Sequence, residues 1–180
     1  MAFGINFQIA PEADRDPSDI RIGINPIAYC DPRSWFQPDQ ERYKSYIKKI
    51  AEFCTHQLQR GYSIHFIPNE LHMDNLVLND IIAQLAPDLR NSSRVARPET
   101  RNYLDVFRNI SRCDYLIASR FHGLLFSFMS KKPVITVAFH FKLSALASEM
   151  GQEDFCIDIA NFQTEQMETL FETLVSRREQ

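Results

Sequence analysis

The stretch YLIASRFHGLLFSFMSKKPVITVAFH, residues 115–140, decides the fold. Residues 115–118 read as an apolar strand. Residues 121–130 read as a short helix, and residues 133–139, apolar and β-branched after Pro133, as a further strand. The same alternation extends towards the N-terminus. Residues 20–27 form a strand that ends at Asn25-Pro26, because proline cannot donate to the ladder. Residues 39–60 carry Tyr43, Tyr46, Ile47, Ile50, Phe53, Cys54 and Leu58 at helical spacing, and Gly61 supplies the stop.

Residues 62–67 are a second strand closed by Pro68, residues 74–85 a helix ending before Pro87, and residues 94–96 a short third strand. Thr100 is the expected N-cap of a helix running through Ile110. After residue 140, a helix is expected over residues 143–150, closed by Gly151, and a last one over residues 164–178. Strands that alternate with helices, each strand nearly continuous in apolar character, indicate an α/β fold: a Rossmann-like parallel sheet with helices on both faces.

Residues 1–19 hold Pro11 and Pro17 among Glu12, Asp14, Asp16 and Asp19, and read as a linker. The domain is expected over residues 20–180. A chain of 180 residues, 44% of them hydrophobic, builds one sizeable core. Its formal charge of −3, spread along the chain, supplies no field to gather nucleic acid. The longest apolar run, residues 121–129, is about half of what a membrane span needs, and no basic-then-apolar leader opens the chain, so it reads as soluble and cytoplasmic. Cys30, Cys54, Cys113 and Cys156 stand too far apart for a zinc motif and are expected as reduced structural thiols.

Parallel sheets bind ligands at the carboxyl ends of their strands, near a switch in strand order. Ser119, Arg120, Phe121, His122 and Gly123 lie at such a strand-to-helix turn, where free backbone N–H groups favour an anion. Arg120 adds a planar, permanently charged fork, and His122 is the side chain that titrates nearest neutrality. The competing reading pairs Arg120 with a surface carboxylate and packs His122, satisfied, against the apolar helix it opens. On the same sheet edge stand Asn25, His140 and Lys142, each of which also suits a turn or a solvated loop. His65, Glu70, His72 and Asp74 cluster after the second strand but lack a helical histidine pair, so no metal site is expected. Trp35, between Pro32 and Pro38, either covers the core or touches a partner.

In order, the chain shows Ile22-Gly23-Ile24-Asn25-Pro26, Arg120-x-His122, Lys132-Pro133-Val134, an aromatic with Lys142, Met150-Gly151 and Ile157-Asp158-Ile159. This ordered set, with Ala2-Phe3 like the end of an interdomain segment, resembles the C-terminal domain of the polysaccharide pyruvyl transferases. Phe121 stands where that family often has Leu, and Phe139 or Phe141 where it has Tyr.

The resemblance implies half of a glycosyltransferase-B-like fold, with an N-terminal domain outside these residues. It implies transfer of pyruvate from phosphoenolpyruvate to a sugar hydroxyl of a cell-surface polysaccharide or exopolysaccharide precursor. The acceptor would be a glycan or lipid-linked sugar, met in the cytoplasm or at the inner face of the membrane. No cofactor or metal is implied. His122 would be catalytic, with Arg120, Lys142, Asn25 and His140 binding substrate. A nucleotide-sugar glycosyltransferase or epimerase, and a non-catalytic glycan- or partner-binding half-domain, are the rival expectations.

Overall fold

The computed structural model describes residue 16 and residues 18–178. Six strands form one sheet: β1 (Arg21–Asn25), β2 (Ser63–Phe66), β3 (Val95–Ala96), β4 (Tyr115–Ala118), β5 (Val134–Ala138) and β6 (Cys156–Asp158). The order is β3-β2-β1-β4-β5-β6 and every pairing is parallel. From β1 the chain winds outward to β2 and β3, then returns to place β4 on the other side of β1. The switch in strand order therefore lies between β1 and β4, where Asn25 pairs with Ala118.

The helices are α1 (Gln40–Gln59), α2 (Met73–Gln84), α3 (Pro87–Arg90), α4 (Tyr103–Ser111), α5 (Phe121–Met129), α6 (Phe141–Glu149) and α7 (Thr164–Arg178), with a 3-10 turn at Glu153–Phe155. One face of the sheet is covered by α1, α2 and α7. There Tyr46, Phe53, Val77, Leu78, Met167 and Phe171 close a core over Ile22, Ile24 and Ile64. Helices α4, α5 and α6 cover the other face through Val106, Ile110, Leu124 and Leu143. Burial on both faces is what the near-continuous apolar strands required.

The expected elements are present, with shifts at their ends. Asn102, not Thr100, caps α4: its side chain accepts from the N–H groups of Leu104 and Asp105 at 2.9 and 3.1 Å. The Thr100 hydroxyl instead receives Nδ2 of Asn109 at 3.1 Å. Helix α6 begins at Phe141, two residues before the expected start, because Nδ1 of His140 caps it by accepting from the Lys142 N–H at 3.3 Å. Gly61 and Gly151, at φ of 93° and 64°, follow the ends of α1 and α6 as expected. Strand β6 and helix α3, of three and four residues, are too short to carry a periodic signal. The expected linker and the Ala2-Phe3 match lie outside the described residues, apart from residues 16, 18 and 19.

Candidate active site

The switch point is built by Asn25 and the turn after β4. The Ser119 N–H donates to the Asn25 carbonyl at 2.9 Å. The fully buried Asn25 side chain donates Nδ2 to the Ile67 carbonyl at 2.7 Å and to Oδ1 of Asn69 at 3.0 Å. Its own Oδ1 has no hydrogen-bond partner and lies against Gly123, where an added Cβ would come within 1.8 Å of it. Gly123 thus lets the first turn of α5 settle onto the end of β1. Asn25 is a structural link between three strand ends as well as a turn residue.

Arg120 is the N-cap of α5 and makes no side-chain cap bond, and the backbone N–H groups of Phe121, His122 and Gly123 have no acceptor among the described residues. Its guanidinium turns instead to Asp74, a carboxylate with no exposed surface, at the start of α2. Nε lies 3.1 and 3.2 Å from the two carboxylate oxygens, and Nη2 completes the pair at Oδ1. Oδ2 of Asp74 also accepts the N–H groups of Asn69 and Glu70, each at 2.9 Å. The carboxylate reading for Arg120 is therefore realised, with a buried partner rather than a surface one. Arg120 does not bring an uncompensated charge to the turn.

The His122 ring is exposed and rests among Tyr103, Phe121 and Phe126, with centroids 5.1, 6.0 and 6.1 Å away. His122 and Arg120 line one cleft of about 280 Å³ together with Ile27, Asn69, Glu70, Tyr103, Phe121 and Phe139. Glu70 is held by the His72 and Met73 N–H groups at 2.9 and 2.5 Å. Those bonds, the His72 one foremost, keep its carboxyl below the usual range. The cleft thus combines hydrogen-bond donors, one titratable ring and an aromatic wall, with acidic charge behind it.

His140 and Lys142 are not brought into this cleft. His140 opens onto a neighbouring cleft of about 370 Å³ with Phe141, Ser144 and Asp158, and Lys142, exposed in the first turn of α6, lines neither space. Phe139 separates the two clefts and borders both. A larger groove of about 440 Å³ opens at the other end of the sheet, beside Lys132, Pro133 and Val134 where β5 begins. It faces the amino ends of the strands, whereas parallel sheets place ligands at the carboxyl ends.

Asn69 and Tyr103 line the cleft and Asp74 holds Arg120 from behind it, and the sequence alone pointed to none of them for this site. Asp74 stood only in the cluster weighed for a metal, and among the described residues no three acidic, histidine or cysteine side chains gather to hold one. An acidic residue opening a helix reads as a local cap, and nothing in the order of residues pairs position 74 with position 120.

The family model for polysaccharide pyruvyl transferase matches residues 11–140. That span holds β1 to β5 and both Arg120 and His122. No curated protein matches the sequence. Among solved structures, an E. coli ADP-heptose lps heptosyltransferase II superposes with a TM-score of 0.66 at 12% identity, over 92% of this chain and 49% of that one. The likeness establishes a shared α/β fold, and the chain spans about half the length of that structure.

Proposed function

This chain belongs to the polysaccharide pyruvyl transferase family, and on that premise we propose that it forms the donor side of a site where phosphoenolpyruvate yields its pyruvyl group to a sugar. One observation carries the reading: the unpartnered end of the Arg120 guanidinium, the uncapped first turn of α5 and the His122 ring belong to one cleft. The donor has a carboxylate and a phosphate, and both suit directional N–H donors at a helix start.

The chemistry needs a proton at C3 of the enol, a sugar hydroxyl at C2, and loss of phosphate as a second hydroxyl closes the ketal. His122 delivers the first proton as a general acid and is restored by the proton of an attacking hydroxyl. Arg120 and the α5 N–H groups stabilise the departing phosphate. The acceptor is a hydroxyl pair of a cell-surface polysaccharide or its lipid-linked precursor. A second, N-terminal domain supplies the acceptor wall, covering exposed apolar side chains such as Phe141, 69% exposed beside the neighbouring cleft. Among the described residues no helix is long and apolar enough to cross a membrane.

The test is an amide NMR titration of this chain with phosphoenolpyruvate, inorganic phosphate and uridine diphosphate. Shifts of the residue 121–123 amides by phosphoenolpyruvate are expected. Binding of uridine diphosphate alone would replace this reading with a nucleotide-sugar one.

A further inference from the structure

An arginine carries five N–H donors arranged on two edges. The side edge, Nε–H and the inner hydrogen of Nη2, is fully taken by Asp74. The end edge, one hydrogen of Nη1 and the outer one of Nη2, has no partner among the described residues, and Arg120 lines the cleft, while the last Nη1 hydrogen points back along the side chain. Asp74 cannot swing away to free the rest. It is fully buried, and its second oxygen is fixed by two backbone N–H groups of the loop after β2.

We propose that Asp74 restrains the anion affinity of Arg120: it occupies one edge of the guanidinium and compensates its charge, leaving only the other edge for the donor's phosphate or carboxylate. This rests on the donor-site reading above. A second consequence follows from charge. A free arginine attracts any anion, whereas one compensated by a buried carboxylate grips through two directed hydrogen bonds with little net field. The site would then discriminate by shape and let the phosphate product leave, instead of trapping it.

The signature has an unusual sign. A purely structural acid, when removed, leaves anion binding unchanged or weaker. Removal of Asp74's charge should make it tighter, because the repulsion between that carboxylate and the bound anion disappears.

Asp74→Asn tests this by calorimetric titration of inorganic phosphate and phosphoenolpyruvate into the whole chain. About tenfold tighter binding of both is expected, equivalent to about 1.4 kcal/mol. The variant will be less stable, since donors face both side-chain oxygens and an amide must turn its NH₂ group towards one set. Arg120→Lys is the companion. Its ammonium can still pair with Asp74, so the chain should fold, but it has no second edge, and binding should weaken at least about tenfold.

Unchanged or weaker binding in Asp74→Asn, or unchanged binding in Arg120→Lys if the first variant fails to fold, overturns the inference and leaves the donor-site reading standing. No binding of either anion by the unmodified chain overturns both.

Discussion

A methyl group placed on Gly123 would lie 1.8 Å from Oδ1 of Asn25 and 2.7 Å from its Cγ, though the two residues belong to different elements of the sheet layer and the helix layer. Alanine in a helix interior ordinarily stabilises relative to glycine by about 0.5–1 kcal/mol. At this position the sign should reverse. Gly123→Ala must displace a fully buried amide that donates to Ile67 and Asn69, and we expect a loss of roughly 1–3 kcal/mol in urea unfolding. A stabilised variant would mean that α5 can lift from β1 freely.

Arg120→Ala leaves Asp74 buried without its cation. Breaking such a pair from one side costs about 3–5 kcal/mol, well above the effect of a surface arginine. Arg120→Lys should lose only about 1 kcal/mol. Chemical denaturation of the two variants separates these outcomes, and equal small losses would show that the pair contributes little.

Tyr46 is fully buried, its hydroxyl 3.2 Å from Oγ of Ser119 and 3.4 Å from the Ile27 N–H. Burial pushes its pKa up to about 12, above the ordinary value near 10. Because the folded value is raised, this contribution to stability is complete below about pH 10 and is lost as pH climbs towards 12. Unfolding midpoints measured from pH 8 to 12 should fall in that window. Tyr46→Phe should cost about 1 kcal/mol near neutrality and flatten part of the alkaline decline.

Trp35 and Phe36 are neighbours with opposite expectations. The Trp35 ring meets Tyr29 and Phe139 edge-on, each at 5.6 Å, while Phe36 is almost wholly exposed. Trp35→Ala should destabilise by about 1–3 kcal/mol. Phe36→Ser should stay within about 0.5 kcal/mol, and comparing the two melting curves checks both.

His122→Asn keeps a donor and a similar shape but cannot carry a proton to the substrate. In an assay of phosphate release from phosphoenolpyruvate in the presence of acceptor glycan, turnover should fall by roughly two to four decades, with donor affinity changed less than about tenfold. Near-normal turnover would move the proton role elsewhere. His140 faces the adjoining cleft and is the next ring to replace.

The layer architecture was legible because each long element carries its own period. The helical spacing from Tyr43 to Leu58 and the unbroken apolar run of β5 state their burial locally. The Arg120-x-His122 turn was legible for the same reason: both residues sit on one strand-to-helix junction. Asp74 was not, since its partner lies 46 residues away and the two meet only through the strand order. His140 and Lys142 were read onto the sheet edge after β5, where they stand, but they line no common space with Arg120. An edge assignment does not say which side of a bulky residue such as Phe139 a neighbour will occupy.

Phe139 is shared by two spaces, and the Trp35 ring packs edge-on against it at 5.6 Å. The loop carrying Trp35 is anchored in turn, Arg33 reaching Asp31, Tyr43 and Asp80 at 2.6, 2.7 and 2.6 Å. The residue shared by the two clefts is thus tied, through one ring contact, to a surface loop some 100 residues upstream in the chain.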